Sequence, residues 1–271
     1  MDFGFLDKSI LVIGTVLSSL ILVRAIQNGR FQRYRFFYVS VLMSLACSAL
    51  GLVFLPHPRL YFWFYWVGVF IDPLLQGLVL LDILRSEPMS QPSLLHATER
   101  LRWIVGITTA ICVLLTCREA AEPYTWGTFL TFRNIAAVNS ALLLLVVLTS
   151  AYFGIYFGRT TKGLIVGHGL DLIGYIVGWS LTIYLHPRPN VHAGVDYIKP
   201  CLSIAALGLW TFSFWNVHPD PVPDLVAIRA ALREPLPKRF HRLGQALLAY
   251  LVGAFRPQRP AGALKPNPSG D

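Results

Sequence analysis

Apolar and polar residues follow one another along this chain in long blocks, not in the short periods of a soluble amphipathic helix or a half-buried strand. Apolar runs lie near residues 10–23, 37–55, 61–84, 103–117, 134–157, 163–185 and 197–217. Crossing the hydrocarbon core of a bilayer takes about 20 apolar residues of helix. Because lipid offers the backbone no hydrogen-bonding partner, such runs satisfy their own amides by forming helices. The pattern predicts an all-α polytopic membrane protein, a seven-transmembrane-helix bundle over residues 1–217. Between most runs there is room only for a short loop. Residues 218–271 read as a cytoplasmic tail.

Composition agrees with this and adds an orientation. The chain is 55% hydrophobic and only 14% charged, where soluble domains carry about 25% charge. Its formal net charge of +9 traces to particular loops. Arg24, Arg30, Arg33 and Arg35 fall in the first inner loop, Arg85, Arg100 and Arg102 in the second, and Arg159 and Lys162 in the third; the tail adds more. The opposite side holds fewer: Lys8, Arg59, Arg118, Arg133, Arg188 and Lys199. Short loops rich in Lys and Arg stay in the cytoplasm, so the amino terminus is expected outside and the carboxyl terminus inside, in a bacterial inner (plasma) membrane. The basic charge is a topology signal, and no nucleic-acid partner is expected. The leading segment carries Asp2, Asp7 and Lys8, and its positive cluster follows the apolar run. That order reads as a retained span, not a cleaved signal peptide.

Polar residues inside the spans are where function is to be sought. An acidic side chain at mid-bilayer costs roughly 2.5–3.5 kcal/mol on insertion scales, so it should face the bundle and have a partner. Asp72 lies at that depth in the third run, with Gln76 one turn later on the same face and Pro73 between them. In the sixth run His168 and Asp171 are three residues apart, and a carboxylate there would tune the imidazole. Asn139 comes from the fifth run. Asp72, Gln76, Asn139, His168 and Asp171 form the candidate ligand- or proton-binding cluster, with a purely structural hydrogen-bonded network as the competing account. Asp82 and Arg85, at the inner end of the third run, form a candidate latch, with each other or with arginines of the first inner loop.

Other motifs shape the picture less. Gly163 and Gly167, and again Gly174 and Gly178, have the spacing that lets helices approach closely. The aromatic run Tyr61 to Trp66 exceeds what interface anchoring needs, and either forms a belt or lines an outer vestibule. Outside the bundle, His57, His186, His192 and Asp196 are the one set that could converge on a metal; otherwise no metal is expected. Cys47 and Cys112 lie within helices, and Cys117 and Cys201 near outer ends, where a disulfide is conceivable. In the tail, Lys238, Arg239 and Arg242 precede Leu243, Leu247 and Tyr250 in the pattern of a basic amphipathic helix. Such a helix lies on the inner leaflet or docks a cytoplasmic partner protein. The final Pro-rich residues are expected to be disordered. No phosphate-binding glycine loop, hydrolase or metalloprotease motif is present, so no catalytic residue and no cofactor is expected, and the protein is not expected to be an enzyme.

Helices 1–3 and 5–7 share local motifs at one offset. Gly29-Arg30 and His57-Pro58-Arg59 in the first half correspond to Gly158-Arg159 and His186-Pro187-Arg188 in the second. A three-plus-one-plus-three transporter would have this arrangement. The segments RAIQNGRFQRYRFF (24–37) and FGRTTKGLIVGHG (157–169), with the amino-out arrangement, resemble those of uncharacterised bacterial seven-transmembrane-helix proteins. More distantly, the chain is similar to seven-helix sensor regions of histidine kinases. The resemblance implies a receptor-like or sensory membrane protein that responds to a small molecule or proton, and without a kinase segment it would signal through a partner. The alternatives are a small-solute transporter using the same cluster, and a scaffold or assembly subunit with a filled interior.

Overall fold

The computed structural model describes residues 5–29, 31–54, 56–85, 95–119, 126–152, 157–185 and 197–215. These form seven helices and, among the described residues, no strand. They are α1 (Phe5–Gln27), α2 (Arg35–Phe54), α3 (Pro58–Leu84), α4 (Leu95–Glu119), α5 (Trp126–Tyr152), α6 (Arg159–Leu185) and α7 (Ile198–Trp215). All seven are long and apolar enough to cross a membrane. Most extend past the apolar runs read from sequence, because a helical backbone keeps its hydrogen bonds through the interfacial residues at either end. The fifth differs most: it starts at Trp126 and ends at Tyr152, taking in aromatic residues that a hydropathy window discounts.

Local signals set the boundaries. α1 ends in the turn Asn28-Gly29, where Gly29 has φ 60, the left-handed conformation that glycine adopts without a Cβ clash. α3 opens with Pro58 in its first turn after His57, a place where the missing amide removes no helical bond. Pro73 lies within the continuous span of α3.

The helices form a ring in chain order, each packed on the next and α7 closing back on α1, while α3 also touches α5 and α6 across the interior. The ring turns apolar side chains outward and keeps polar ones inside. Leu114 is 71% exposed, whereas Asp82 is 1% exposed and Gln76 3%. Large contiguous apolar surface of this kind needs an apolar surrounding.

The tightest seam joins α6 to α7, and glycine makes it. A Cβ on Gly167 would overlap the Trp210 ring, one on Gly163 would overlap Ser213, and Gly174 and Gly178 lie against Leu202 and Lys199. The close approach lets Trp210 Nε1 donate to the Leu164 carbonyl at 3.3 Å.

At the end of the bundle carrying Arg24, Arg35, Arg85 and Arg159, here the basic end, the interior is filled. Phe37 stacks on Phe214 at 4.9 Å and meets Trp210 edge-on at 5.1 Å. Tyr34 lies edge-on to Phe214, and its hydroxyl bonds Thr161 Oγ1 at 2.9 Å. Tyr34, Phe37 and Tyr38 are each 1% exposed. Aromatic rings therefore fill the interior here among the described residues.

The cysteines are free, with Cys117 and Cys201 both exposed. They stand on α4 and α7, which are not adjoining members of the ring, so no disulfide joins them. The tail residues Lys238, Arg239 and Arg242, and the outer residues His186, His192 and Asp196, lie outside the described residues.

Candidate functional site

The other end of the bundle is hollow. A cavity of about 1130 Å³ runs from a mouth near Asp7, Arg59 and Tyr197 to a floor at Trp210. Ligand sites for drug-sized molecules occupy roughly 300–1,000 Å³, so this one is ample. Its wall is contributed by α1, α2, α3, α6 and α7, with Phe129 from α5. The aromatic run of α3 divides its duties. Trp66 is buried, Trp63 is 63% exposed, and Tyr61, Phe62, Trp63, Phe64 and Trp66 all contribute to the lining. The run therefore both lines the cavity and reaches the outer surface of the bundle.

Two carboxylates reach the cavity, Asp72 from α3 and Asp171 from α6. Asp72 Oδ2 accepts a hydrogen bond from Gln76 Nε2 at 3.0 Å, the one-turn partnership its spacing predicts. Tyr175 also hydrogen-bonds Asp72. Asp171 Oδ1 accepts from Ser203 Oγ at 2.6 Å. The ammonium of Lys199 acts electrostatically on both carboxylates. Its Nζ nevertheless stands over the Tyr175 ring, 3.7 Å from the centroid, with the Trp179 ring 5.8 Å away.

Lys199, Tyr175 and Ser203 are members that sequence reasoning missed. Lys199 sits in the first turn of α7 and counts there as an outer-side loop charge, but its long stem turns inward. Tyr175 is one helical turn from Asp171, and Ser203 one turn from Lys199, so shared faces were the available signal.

The remaining expectations divide. His168 is 2% exposed and hydrogen-bonds the Gln76 backbone, while its Nε2 has no partner among the described residues. It does not pair with Asp171. Three residues advance an α-helix by about 300°, and that offset sends His168 toward α3 while Asp171 faces α7. Asn139 is 1% exposed, and both of its amide atoms lack a partner among the described residues. It joins neither carboxylate. Gln76, Asn139 and His168 lie outside the cavity lining, whereas Asp72 and Asp171 are part of it.

The latch is of a different kind from the one expected. Asp82 Oδ2 accepts the Phe37 amide at 2.9 Å, and the Phe36 amide is also turned to it. The carboxylate thus caps the start of α2 from α3, while the guanidinium groups of Arg85 and Arg35 act on it through space. Those two guanidinium groups flank Phe36, at 5.2 and 4.7 Å from its ring. A helix start offers bare amides and partial positive charge, which hold a buried carboxylate better than a solvated arginine does.

Of the outer metal set only His57 is described, exposed in the turn before α3. Among the described residues no group of three His, Cys, Asp or Glu side chains could hold a metal ion. Compared with protein-family models, curated proteins and solved structures, the chain matches none of them.

Proposed function

We infer that this is a receptor-like, sensory protein of the bacterial inner membrane, amino terminus outside, whose cavity binds a small ligand from the outer side. The observation that carries the reading is the asymmetry of the interior. An open, aromatic-lined cavity with Asp72 and Asp171 in its lining ends on an aromatic plug at the basic end. The positive-inside rule puts the basic end in the cytoplasm, so the cavity faces out. Trp210 belongs to both parts: it lines the cavity and packs against Phe37. A ligand that moves Trp210 acts on Phe37, and through it on the Asp82 cap and the basic loops. The output passes to a cytoplasmic partner protein, the tail being the candidate contact.

A small-solute transporter is the second reading, supported by the paired Gly-Arg and His-Pro-Arg motifs of the two halves. It requires the plug to open. A scaffold needs no cavity of this size.

Thermal unfolding of the purified protein in detergent, across small metabolites and pH, tests the ligand site, with Asp72→Asn in parallel. A true ligand at a hundred times its Kd stabilises by about 2.7 kcal/mol, and Asp72→Asn should abolish the response. If no compound shifts the parent and Asp72→Asn is at least as stable, the cavity is not a ligand site. Flux into liposomes of any compound that does bind separates transport from sensing.

A further inference from the structure

Acidic side chains outnumber basic ones in the cavity lining. Asp7, Asp72 and Asp171 are its acidic lining residues, and Arg59 and Lys199 its basic ones. Asp7 and Arg59, one of each sign, line the mouth. That leaves two carboxyl groups inside the cavity near the single ammonium of Lys199.

The ammonium does not sit on either carboxylate. It occupies the face of Tyr175, with Trp179 beside it. An aromatic face under a cation, with carboxylates close by, is the arrangement by which proteins take up organic cations. Trp179 also carries a buried ring nitrogen without a partner among the described residues. Lys199 is fixed at its backbone end, where its Cβ lies against Gly178, but its four-carbon stem is flexible and can carry the amine toward the mouth. The amine fills only a small part of a cavity of about 1130 Å³.

We propose that the cavity binds an organic monocation with an apolar or ring-bearing body, and that Lys199 is a tethered occupant of the cation seat which the ligand displaces. This rests on the cavity being the ligand site. The incoming cation takes the Tyr175 and Trp179 faces and answers the carboxylate excess. Its body fills the aromatic vestibule formed by the outer turns of α3. An anion would meet Lys199 only beside two carboxyl groups. A neutral molecule can at most donate a hydrogen bond to a carboxylate, without the charge or the ring-face attraction that a cation adds.

The test uses the full chain in detergent and three probes that share one ring: benzyltrimethylammonium, phenylacetate and benzyl alcohol. Binding is read by titration calorimetry at matched ionic strength, against empty micelles. The cation should bind about tenfold or more tightly than the anion or the alcohol. Lys199→Met should tighten the cation by about tenfold, and Asp171→Asn should weaken it by a similar factor. The comparison among probes needs no variant, so it holds even if a substitution impairs folding. Phenylacetate binding that is tighter than the cation's and lost in Lys199→Met would overturn the cation assignment while leaving the cavity a ligand site. Cation binding weakened by Lys199→Met would overturn the displacement. Failure of all three probes overturns the cation assignment, and the metabolite screen then decides separately whether the cavity binds anything.

Discussion

Asp82 of α3 accepts the backbone amide of Phe37, in the first turn of α2, at 2.9 Å. The carboxylate therefore ties two helices together at the filled end, immediately beneath the ring that packs on Trp210. Removing it leaves the amides of a buried helix start without an acceptor, a loss of about 1–2 kcal/mol for a helix cap. Asp82→Ala should lower the thermal unfolding midpoint in detergent, with Asp82→Asn intermediate because its amide oxygen still accepts. Arg85→Gln should change the midpoint little, as expected for an exposed charge. Equal losses in Asp82→Ala and Arg85→Gln would restore the ion-pair latch.

Gly167 faces the Trp210 ring with no room for a Cβ. Gly167→Val should separate α6 from α7, break the Trp210 bond to Leu164, and cost about 3 kcal/mol or more by overpacking. It should be seen as loss of the monodisperse species in size-exclusion chromatography. Gly106 meets nothing within 4 Å, so Gly106→Ala should be neutral or stabilising by up to about 1 kcal/mol. A tolerated Gly167→Val would contradict the seam.

Asn139 is buried with neither amide atom partnered among the described residues. Replacing an unsatisfied buried amide by an apolar side chain of similar size removes a desolvation penalty of about 1–3 kcal/mol. Asn139→Leu should therefore raise the unfolding midpoint. Destabilisation by this substitution would show that Asn139 holds a polar partner and belongs to a working network.

Orientation is open to chemical labelling. His57 is exposed at the cavity end and Asn28 at the basic end. In a variant with its cysteines replaced by serine, His57→Cys should react with a membrane-impermeant maleimide in spheroplasts with intact inner membranes. Asn28→Cys should react only after that membrane is permeabilised. The reverse pattern would turn the cavity toward the cytoplasm and remove the basis for outside-in sensing.

Some of the site was legible in the sequence for a simple reason. Asp72 and Gln76 are one turn apart on one helix, so their contact is local, and α-helical geometry alone brings them together. The glycine pairs of α6 likewise mark a close approach whatever helix fills it. His168 and Asp171 show the limit: their spacing placed both on roughly one side of α6, but each took its partner from a different neighbour. Asp82 and Arg85 show it again, because the stronger acceptor site for Asp82 is a helix start from elsewhere in the chain.

The sequence by itself determined the seven apolar helices of the described residues, the approximate position of most of them and the place of Asp72 along the third, because hydropathy acts through the surrounding solvent and needs no tertiary partner. Tertiary structure alone decided that Lys199 turns inward to Tyr175, that Asp82 caps α2, and that one end of the ring is hollow while the other is filled. These depend on which helices adjoin and how closely. Contact energies between residues far apart in the chain set those choices, and no local period in the sequence records them.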